Sequence, residues 1–502
     1  MSTGQLDQLL MGIADAQVAQ ARGAARIVVS GLALDSRRVR RGDAFFALRG
    51  TQGHGIEFAA GAVQRGAQVV LAEAPAVHGV APLDVPLLWI DGLRDQVGEI
   101  AARFYDRPTE AMRVIGITGT NGKTSCVQLL AQALTFLGHR TATIGTLGAG
   151  MHGKLLEGER TTPDAITLQQ QLAEFRDAGA SHVAMEVSSH ALEQGRVAAV
   201  DFEVAGFTNL TRDHLDYHGS MQAYGAAKAK LFSWPGLRSA AINVDDAFGA
   251  DLMTTLPAGV QALRVSSADA SDADVVASAV VTSAEGLAFQ LHTPWGIRSV
   301  NSRLLGRFNV ANLLTVVACL GALGEPFANI VAALEHLQPV SGRMSRLGGL
   351  HGMPLIVVDY AHTPDALEQA LTALRAHCAG RLICVFGCGG ERDAGKRPLM
   401  GEIAARLADV AIVTDDNPRG EDGDAIVAQI VEGMHAARSM AVERDRAKAI
   451  AQALQLARAG DVVLLAGKGH ESYQEGAAGK RPFDDLAIAH AALERLSREA
   501  RA

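Results

Sequence analysis

The tightest constraint in this sequence is one short run, Gly116-Ile117-Thr118-Gly119-Thr120-Asn121-Gly122-Lys123-Thr124-Ser125, set between an apolar stretch and an amphipathic one. Residues 113–117 read as a buried strand and 118–122 as a glycine-rich loop. From Lys123 onward Val127, Leu130, Ala131, Leu134 and Leu137 recur at helical spacing as far as Gly138. In a strand–loop–helix of this kind the backbone N–H groups converge on phosphate oxygens at the positive end of the helix. Lys123 would then reach the β- and γ-phosphates, and Thr124 or Ser125 would offer a hydroxyl to Mg²⁺. The spacing departs from the usual G-x-x-x-x-G-K-[ST], because the residue five before Gly122 is Ile117 and Gly116 lies one place too far. Such a loop requires a parallel α/β sheet with the ligand at the carboxyl ends of its strands.

The rest of the chain has to supply that sheet. At 502 residues, and with about 150 residues per domain, three packed α/β units are expected: 1–108, 109–340 and 341–502. The joints fall at Arg107-Pro108-Thr109 and Pro339-Val340-Ser341-Gly342. Short apolar runs at 141–146, 182–187 and 203–208 suit buried parallel strands, whereas 260–300 reads as an antiparallel insertion. After residue 341, strands at 355–359, 382–386, 410–414 and 462–466 alternate with helices after Pro364 and Lys396, which implies a second doubly wound, Rossmann-like sheet. Lys+Arg number 46 against 54 Asp+Glu, a net charge of −8, so the chain lacks the positive field of a nucleic-acid partner. Five irregularly spaced cysteines do not make a disulfide framework in a chain of this length. The start carries no basic segment and no run of 18 residues is apolar throughout. A cytoplasmic protein that is not inserted in a membrane is expected.

Several residues bear chemistry without fixing it. Glu186 closes an apolar strand in Met185-Glu186-Val187-Ser188-Ser189-His190 and aims a carboxylate at the ligand edge, where a hard cation would suit it. His214 and His218 stand four apart, as zinc ligands can, but no H-E-x-x-H motif or cysteine quartet accompanies them; a polar capped turn around Asp213, Asp216 and His218 is the competing reading. Lys228, in AAKAKLF, reads on its own as an exposed helix lysine. The arginines near Asp35-Ser36-Arg37-Arg38 read as a solvated face, and Asn309 and Arg343 as a helix cap and a hinge arginine. Asp359 and His362 stand at a strand end in VDYAHTP. Gly387-Cys388-Gly389-Gly390 would need a glycine at 392 for a dinucleotide fingerprint, and that residue is arginine. Cys384 and Cys388 are better explained as buried thiols than as metal ligands.

GTNGKTS, TTPD, MEVSSHALEQGRV, NLTRDHLDYHG, YGAAKAKLF, GRFNVANLL, SGRM, VDYAHTPDAL, GCGGERDAGKRPLMG, TDDNPRGE and GKGHE occur in that order, after DSRRVRRGD near the start. The sequence thereby resembles the Mur ligases over nearly its whole length, in the form that adds the third amino acid to UDP-N-acetylmuramoyl-L-alanyl-D-glutamate (UDP-MurNAc-L-Ala-D-Glu). The resemblance implies a three-domain fold: an N-terminal UDP-binding α/β domain, a central P-loop ATPase domain and a C-terminal Rossmann-like domain. It implies an ATP-dependent amide-bond ligase of peptidoglycan precursor synthesis, acting as a monomer. By the same resemblance Gly119, Thr120, Asn121, Gly122, Lys123, Thr124, Ser125, Asn309, Arg343 and Asp359 contact ATP. Ser125, Glu186, His214 and Lys228 serve Mg²⁺, with Lys228 carrying a CO₂-derived carbamate as N6-carboxylysine. Leu34, Ser36, Thr51, Gln52 and Gly53 hold the uridine end of the nucleotide sugar, and Thr161, Thr162, Ser188, Gln194 and Arg196 the muramyl-peptide end.

Asp416-Asn417-Pro418-Arg419 follows the strand at 410–414. An arginine fork binds a carboxylate through two parallel hydrogen bonds, and meso-diaminopimelate, unlike L-lysine, presents a second amino-acid group at its far end. The resemblance agrees, since DNPR marks diaminopimelate-adding enzymes, with Arg392, Gly467 and Glu471 completing the pocket and Glu471 receiving the ammonium. Two other activities remain to be weighed. A folylpolyglutamate synthetase would activate a glutamate carboxylate in the same way, but GTNGKT rather than GTNGKG, the additional N-terminal domain and DNPR argue against it. A nucleotide-gated regulatory ATPase would have the phosphate loop without the zwitterion pocket.

Overall fold

The computed structural model describes residues 3–21, 23–50, 53–268, 272–340, 342–349 and 352–499. Its contacts divide the chain into two units, residues 1–264 with 318–325, and residues 265–317 with 326–502.

Besides the short antiparallel pairing of Gly4–Gln5 with Val28–Val29, the first unit carries two larger sheets. Near the N-terminus Gly31–Ala33, Asp43–Ala47, Val69–Glu73 and Leu87–Ile90 pair in parallel in that order. Asp43–Ala47 is buried throughout, and its alternating side chains feed two cores, Phe46 one and Phe45 the other. The second sheet runs Ser239–Asn243, Phe202–Phe207, Arg113–Thr118, His182–Glu186, Thr141–Gly145, all parallel, with Gly148–Met151 antiparallel at its edge. These strands lie one or two residues from their expected bounds. Arg113–Thr118 sits between two strands that follow it in the chain, so the order reverses there and a crevice opens beyond its carboxyl end. The phosphate-loop candidate leaves from that point. Gly122 starts the helix Lys123–Phe136 in the left-handed region (φ 86°), and Gly138 (φ 92°) follows its end.

In the second unit Val275–Ser283, Gly286–Thr293 and Gly296–Ser302 are antiparallel, as expected of an insertion. Residues 260–300 are not antiparallel throughout, however: Val265 and Ser266 pair in parallel with Val275 and Val276, and only the pairings that follow are antiparallel. The second sheet of this unit has the order Ser345–Gly348, Leu355–Asp359, Val462–Ala466, Leu382–Phe386, Val410–Val413, Met440–Val442, and only its first pairing is antiparallel. Leu382–Phe386 and Val462–Ala466 are buried on both faces. One face packs against Leu367, Leu371, Met400 and Ile430, the other against Ile450, Leu454 and Ala489. Among the described residues no helix is long and apolar enough to cross a membrane.

Candidate functional site

The site residues expected from the sequence fall into two sets, one in each unit. In the first, the loop Thr118–Gly122 is held by the segment after Phe202–Phe207. The Asn209 carbonyl accepts the Thr120 N–H (2.8 Å), and its Oδ1 accepts the Asn121 N–H (2.9 Å). Thr208 Oγ1 donates to the Asn121 carbonyl at 2.6 Å. Gly119, at φ 141°, lies so close to Thr208 Oγ1 that a Cβ would collide with it. Thr208 and Asn209 therefore shape the loop; sequence reasoning missed both, although Asn209 opens the NLTRDHLDYHG motif.

Two lysines meet at one carbonyl. Lys123 Nζ donates to Gly119 O (2.9 Å) and Thr120 O (2.8 Å), and Lys228 Nζ donates to the same Gly119 O at 2.8 Å. Lys228 is not the exposed helix lysine that its local sequence suggests: it is 1% exposed, packed with its Nζ 4.3 Å from the Tyr224 ring centroid. Met221–Ala229 buries Tyr224, Gly225, Ala227 and Lys228, so the lysine lies on the inward face of its helix. Burial, and after it the charge of Lys123, pulls its pKa down to about 6, against an opposing pull from Asp213. At neutral pH its amine is mostly uncharged.

Glu186 ends its strand beside Ile117 and is buried. Its Oε1 accepts the Thr146 N–H (2.8 Å) and its Oε2 faces Thr146 Oγ1 (3.3 Å). Gly145 leaves room for this carboxylate, since a Cβ there would strike it. A buried carboxylate next to the loop's first residue, with Ser125 in the first turn of the following helix, is a donor set that fits a hard divalent cation. His214 is 48% exposed in its side chain, 3.5 Å from Asp213, with its ring 6.1 Å from that of Tyr224. It begins the short helix Leu215–His218 at φ 51°, while His218 faces Ser189 Oγ at 3.0 Å. His214 is thus linked to Lys228 through Tyr224, and among the described residues no contact joins it to Glu186.

A continuous network leads away from Glu186. Thr162 Oγ1 donates to the Glu186 carbonyl (2.8 Å) and accepts the Ser188 N–H (3.2 Å), and Thr161 lies 3.1 Å from Thr146 Oγ1. Arg196 donates to the Thr162 carbonyl (3.0 Å) and to Gln194 Oε1 (2.9 and 2.5 Å), and Gln194 Nε2 reaches Tyr217 OH at 3.0 Å. Thr161, Thr162, Ser188, Gln194 and Arg196 are thereby brought together. Leu34, Ser36 and Gly53 lie with the first sheet; Thr51 and Gln52 fall outside the described residues. The side chains of Arg37 and Arg38 are 83% and 62% exposed and pair with Asp35 and Glu159.

In the second unit Asp359 Oδ2 accepts the Met344 N–H at 2.9 Å, which places it against the turn that carries Arg343. Burial pushes the Asp359 carboxyl up, the Met344 N–H and the Arg343 charge working against that shift. The Arg343 guanidinium lies 5.7 Å from the Tyr360 ring centroid, and Lys396 Nζ donates to the His362 carbonyl. Asn309 is buried, its Nδ2 on Leu305 O and its Oδ1 on Asn312 Nδ2.

Asp416, Asn417, Pro418, Arg419, Gly467 and Glu471 cluster beyond the carboxyl ends of Val410–Val413 and Val462–Ala466, the two strands that flank Leu382–Phe386. Sequence reasoning took Gly467 and Glu471 from GKGHE but passed over Lys468, which is fully buried at the centre of the cluster. Its Nζ donates to Asn417 Oδ1 (3.0 Å) and Glu471 Oε2 (3.1 Å) and stands 3.7 Å from Asp416 Oδ1. Asn417 Nδ2 donates to the same Glu471 oxygen at 2.9 Å. Asp416 Oδ1 is buried and accepts no hydrogen bond among the described residues, and burial pushes its carboxyl up. Behind it lies the fully buried pair Arg446–Asp485, at 2.6 and 2.8 Å. Gly467, at φ 114°, passes beside the Asp416 carboxylate. Arg392 is exposed, and Gly389 lies between it and Arg419.

Three family models match successive parts of the chain: "Mur ligase family, catalytic domain" at 28–105, "Mur ligase middle domain" at 117–320, and "Mur ligase, glutamate ligase domain" at 342–469. A UDP-N-acetylmuramoyl-L-alanyl-D-glutamate--2,6-diaminopimelate ligase of Xanthomonas campestris pv. campestris (strain 8004) is 56% identical over 492 residues, 97% of each chain. Proteins of the same name from Xylella fastidiosa (strain Temecula1) and Pseudomonas aeruginosa (strain PAO1) are 54% and 51% identical, over 94% and 93% of this chain and 95% of theirs. A solved structure of a ligase so named superimposes with a TM-score of 0.77 at 36% identity, covering 99% of this chain and 100% of its own. A folylpolyglutamate synthase of Mycobacterium tuberculosis, complexed with ADP, shares the fold alone (TM-score 0.59, 19% identity, 75% of this chain and 91% of its own). With family models matching from residue 28 to residue 469 and relatives aligned over nearly its whole length, the chain belongs to the Mur ligase family.

Proposed function

We propose that this chain is an ATP-dependent ligase that joins meso-2,6-diaminopimelate to the γ-carboxylate of D-glutamate in UDP-MurNAc-L-Ala-D-Glu. The observation that carries the reading is the near-complete match, at 51–56% identity, to ligases of that name. In support, the residues suited to phosphate and those suited to a zwitterionic amine each gather at strand ends. A carboxylate and an amine do not condense in neutral water, so the γ-phosphoryl group of ATP first converts the carboxylate into an acyl phosphate. The amine then attacks the acyl carbon and phosphate departs. Lys123 and the loop N–H groups neutralise charge on the phosphoryl oxygens, and most of the acceleration comes from position and electrostatics.

Ser125, Glu186 and His214, with Lys228, would hold Mg²⁺, which supplies further charge neutralisation at the phosphoryl group. For that task Lys228 must be anionic. Its uncharged amine can add CO₂, forming an N–C bond and releasing a proton, which turns the ammonium of an ordinary lysine into a carbamate. Thr161, Thr162, Ser188, Gln194 and Arg196 orient the muramyl peptide, and Leu34, Ser36 and the segment 51–53 hold the uridine end. Asn309, Arg343 and Asp359 contact the nucleotide. Arg419, with Arg392, takes the distal carboxylate of diaminopimelate. Because Glu471 Oε2 already accepts from Asn417 and Lys468, Asp416 Oδ1 shares the substrate ammonium with it.

The three-domain division 1–108, 109–340 and 341–502 is supported by the three family matches, each of which falls inside one of those spans. We place the enzyme in the cytoplasm as a monomer. One assay tests the activity. Protein with ATP, Mg²⁺ and the UDP-muramyl dipeptide should release phosphate and form the tripeptide when diaminopimelate is added, and far less with L-lysine. Phosphate release indifferent to the amine would refute it.

A further inference from the structure

The hairpin of Tyr473–Gly476 and Gly479–Pro482 is tied to residues 415–419 by five hydrogen bonds and ion-pair contacts that no expectation from the sequence anticipated. Gln474 is buried; its Nε2 donates to the carbonyls of Asp416 (2.8 Å) and Asp415 (3.3 Å), and its Oε1 is gripped by Arg481 at 2.6 and 3.2 Å. Glu475 makes the other three contacts. Its N–H donates to Asn417 Oδ1 (2.9 Å), its carbonyl accepts the Arg419 N–H (3.0 Å), and its carboxylate meets Arg419 Nε at 3.2 Å. Arg419 itself has φ 52°, a backbone conformation that a residue with a side chain adopts only when its surroundings impose it.

A guanidinium carries five N–H donors in a rigid plane. In Arg419 the Nε donor faces Glu475, and Nη1 gives one hydrogen to the Gly390 carbonyl at 2.8 Å. These two contacts, on different nitrogens, restrain the rotation of the plane. The remaining donors on Nη1 and Nη2 form a fork that can take a carboxylate bidentately. An arginine free to swing would lose rotamer entropy on capturing the same group. The negative charge of Glu475 works against an incoming carboxylate, but both side chains are partly exposed, so solvent weakens that repulsion while the orientation persists.

We propose that Glu475 is a specificity-determining positioning residue, which aims the Arg419 fork and so favours an amine whose far end carries a carboxylate. The proposal rests on the reading of Arg419 as the group that binds that carboxylate. The test compares Glu475→Ala, Glu475→Gln, Arg419→Ala and the double alanine variant, measuring KM for diaminopimelate, KM for ATP, kcat and the thermal midpoint. Glu475→Ala should raise the diaminopimelate KM about fivefold, the equivalent of one partly exposed ion pair, with kcat, the ATP KM and the thermal midpoint unchanged. Glu475→Gln should stay within about twofold of the parent, since an amide keeps a polar oxygen of the same reach beside Nε and loses only the charge of a partly exposed pair. The double variant should be no worse than Arg419→Ala alone, because Glu475 acts only through that arginine. An unchanged or lowered diaminopimelate KM in Glu475→Ala, a multiplied penalty in the double variant, or a parallel change in ATP KM would overturn the proposal. If Arg419→Ala itself leaves the diaminopimelate KM unchanged, the reading of the pocket fails first, which separates the two failures.

Discussion

Lys228 offers the sharpest quantitative test. An ordinary lysine has a pKa of 10.5, and burial lowers this one to about 6. At pH 7.4 the uncharged fraction therefore rises from roughly 0.1% to roughly 95%, about a thousandfold. Only the uncharged amine attacks CO₂. The burial that lowers basicity also lowers intrinsic nucleophilicity, so the position of the pH profile is the discriminating quantity rather than the absolute rate. The perturbation is a pH series from 5 to 9.5 at fixed dissolved ¹³CO₂. The assay is the initial rate of carbamate formation, read by alkylative trapping and mass spectrometry of the peptide that contains Lys228. The rate should rise through a midpoint near pH 6 and be flat above about pH 7. Lys123→Gln should move the midpoint upward, because the charge of Lys123 is the second cause of the shift. A rate that climbs tenfold per pH unit through pH 9 would show an ordinary lysine and refute the reasoning.

Three further outcomes are expected. Lys123→Ala should lower kcat by about 10²–10³, the loss typical when one preorganised donor to a developing negative charge is removed, measured by ADP release in the presence of all three substrates. His182 is buried, its Nε2 accepts or donates no hydrogen bond among the described residues, and burial with the nearby His139 lowers its pKa from 6.5 to about 4. The unfolded chain then binds a proton that the folded one does not between those values, so stability falls as pH drops from about 6.5 to about 4; His182→Gln should remove up to about 3 kcal/mol of that loss in urea unfolding. Asp485→Asn should cost about 3–5 kcal/mol in the same measurement, because it leaves the fully buried Arg446 without its counter-charge.

The sequence exposed most of the scaffold and only part of the site. Residues 355–359, 382–386 and 462–466 were legible because a strand buried on both faces is a short unbroken apolar run. The loop at 116–125 was legible because few structures need that many glycines before Lys-Thr. Lys228 was legible only through the family resemblance, since an isolated lysine in a helical stretch looks like any surface lysine until its burial is known. Lys468 hid for the same reason, and Thr208 because an isolated threonine at a strand end carries no pattern of its own. The partial parallel pairing of 261–266 escaped because pairing direction is set by the path of the connection, which local composition does not encode.

The cluster around Lys468 has a consequence for how this pocket can change over generations. The cations that Asp416, Glu471 and Asp485 meet in ion pairs or at charge range, Lys468 and Arg446, are fully buried, so any lineage exchanging one of these three acids for a neutral side chain leaves a buried positive charge with less compensation. A shift of diet toward another amine must therefore proceed by paired or compensated exchanges. Single steps through this part of sequence space end in an enzyme that folds poorly before it acquires a new taste.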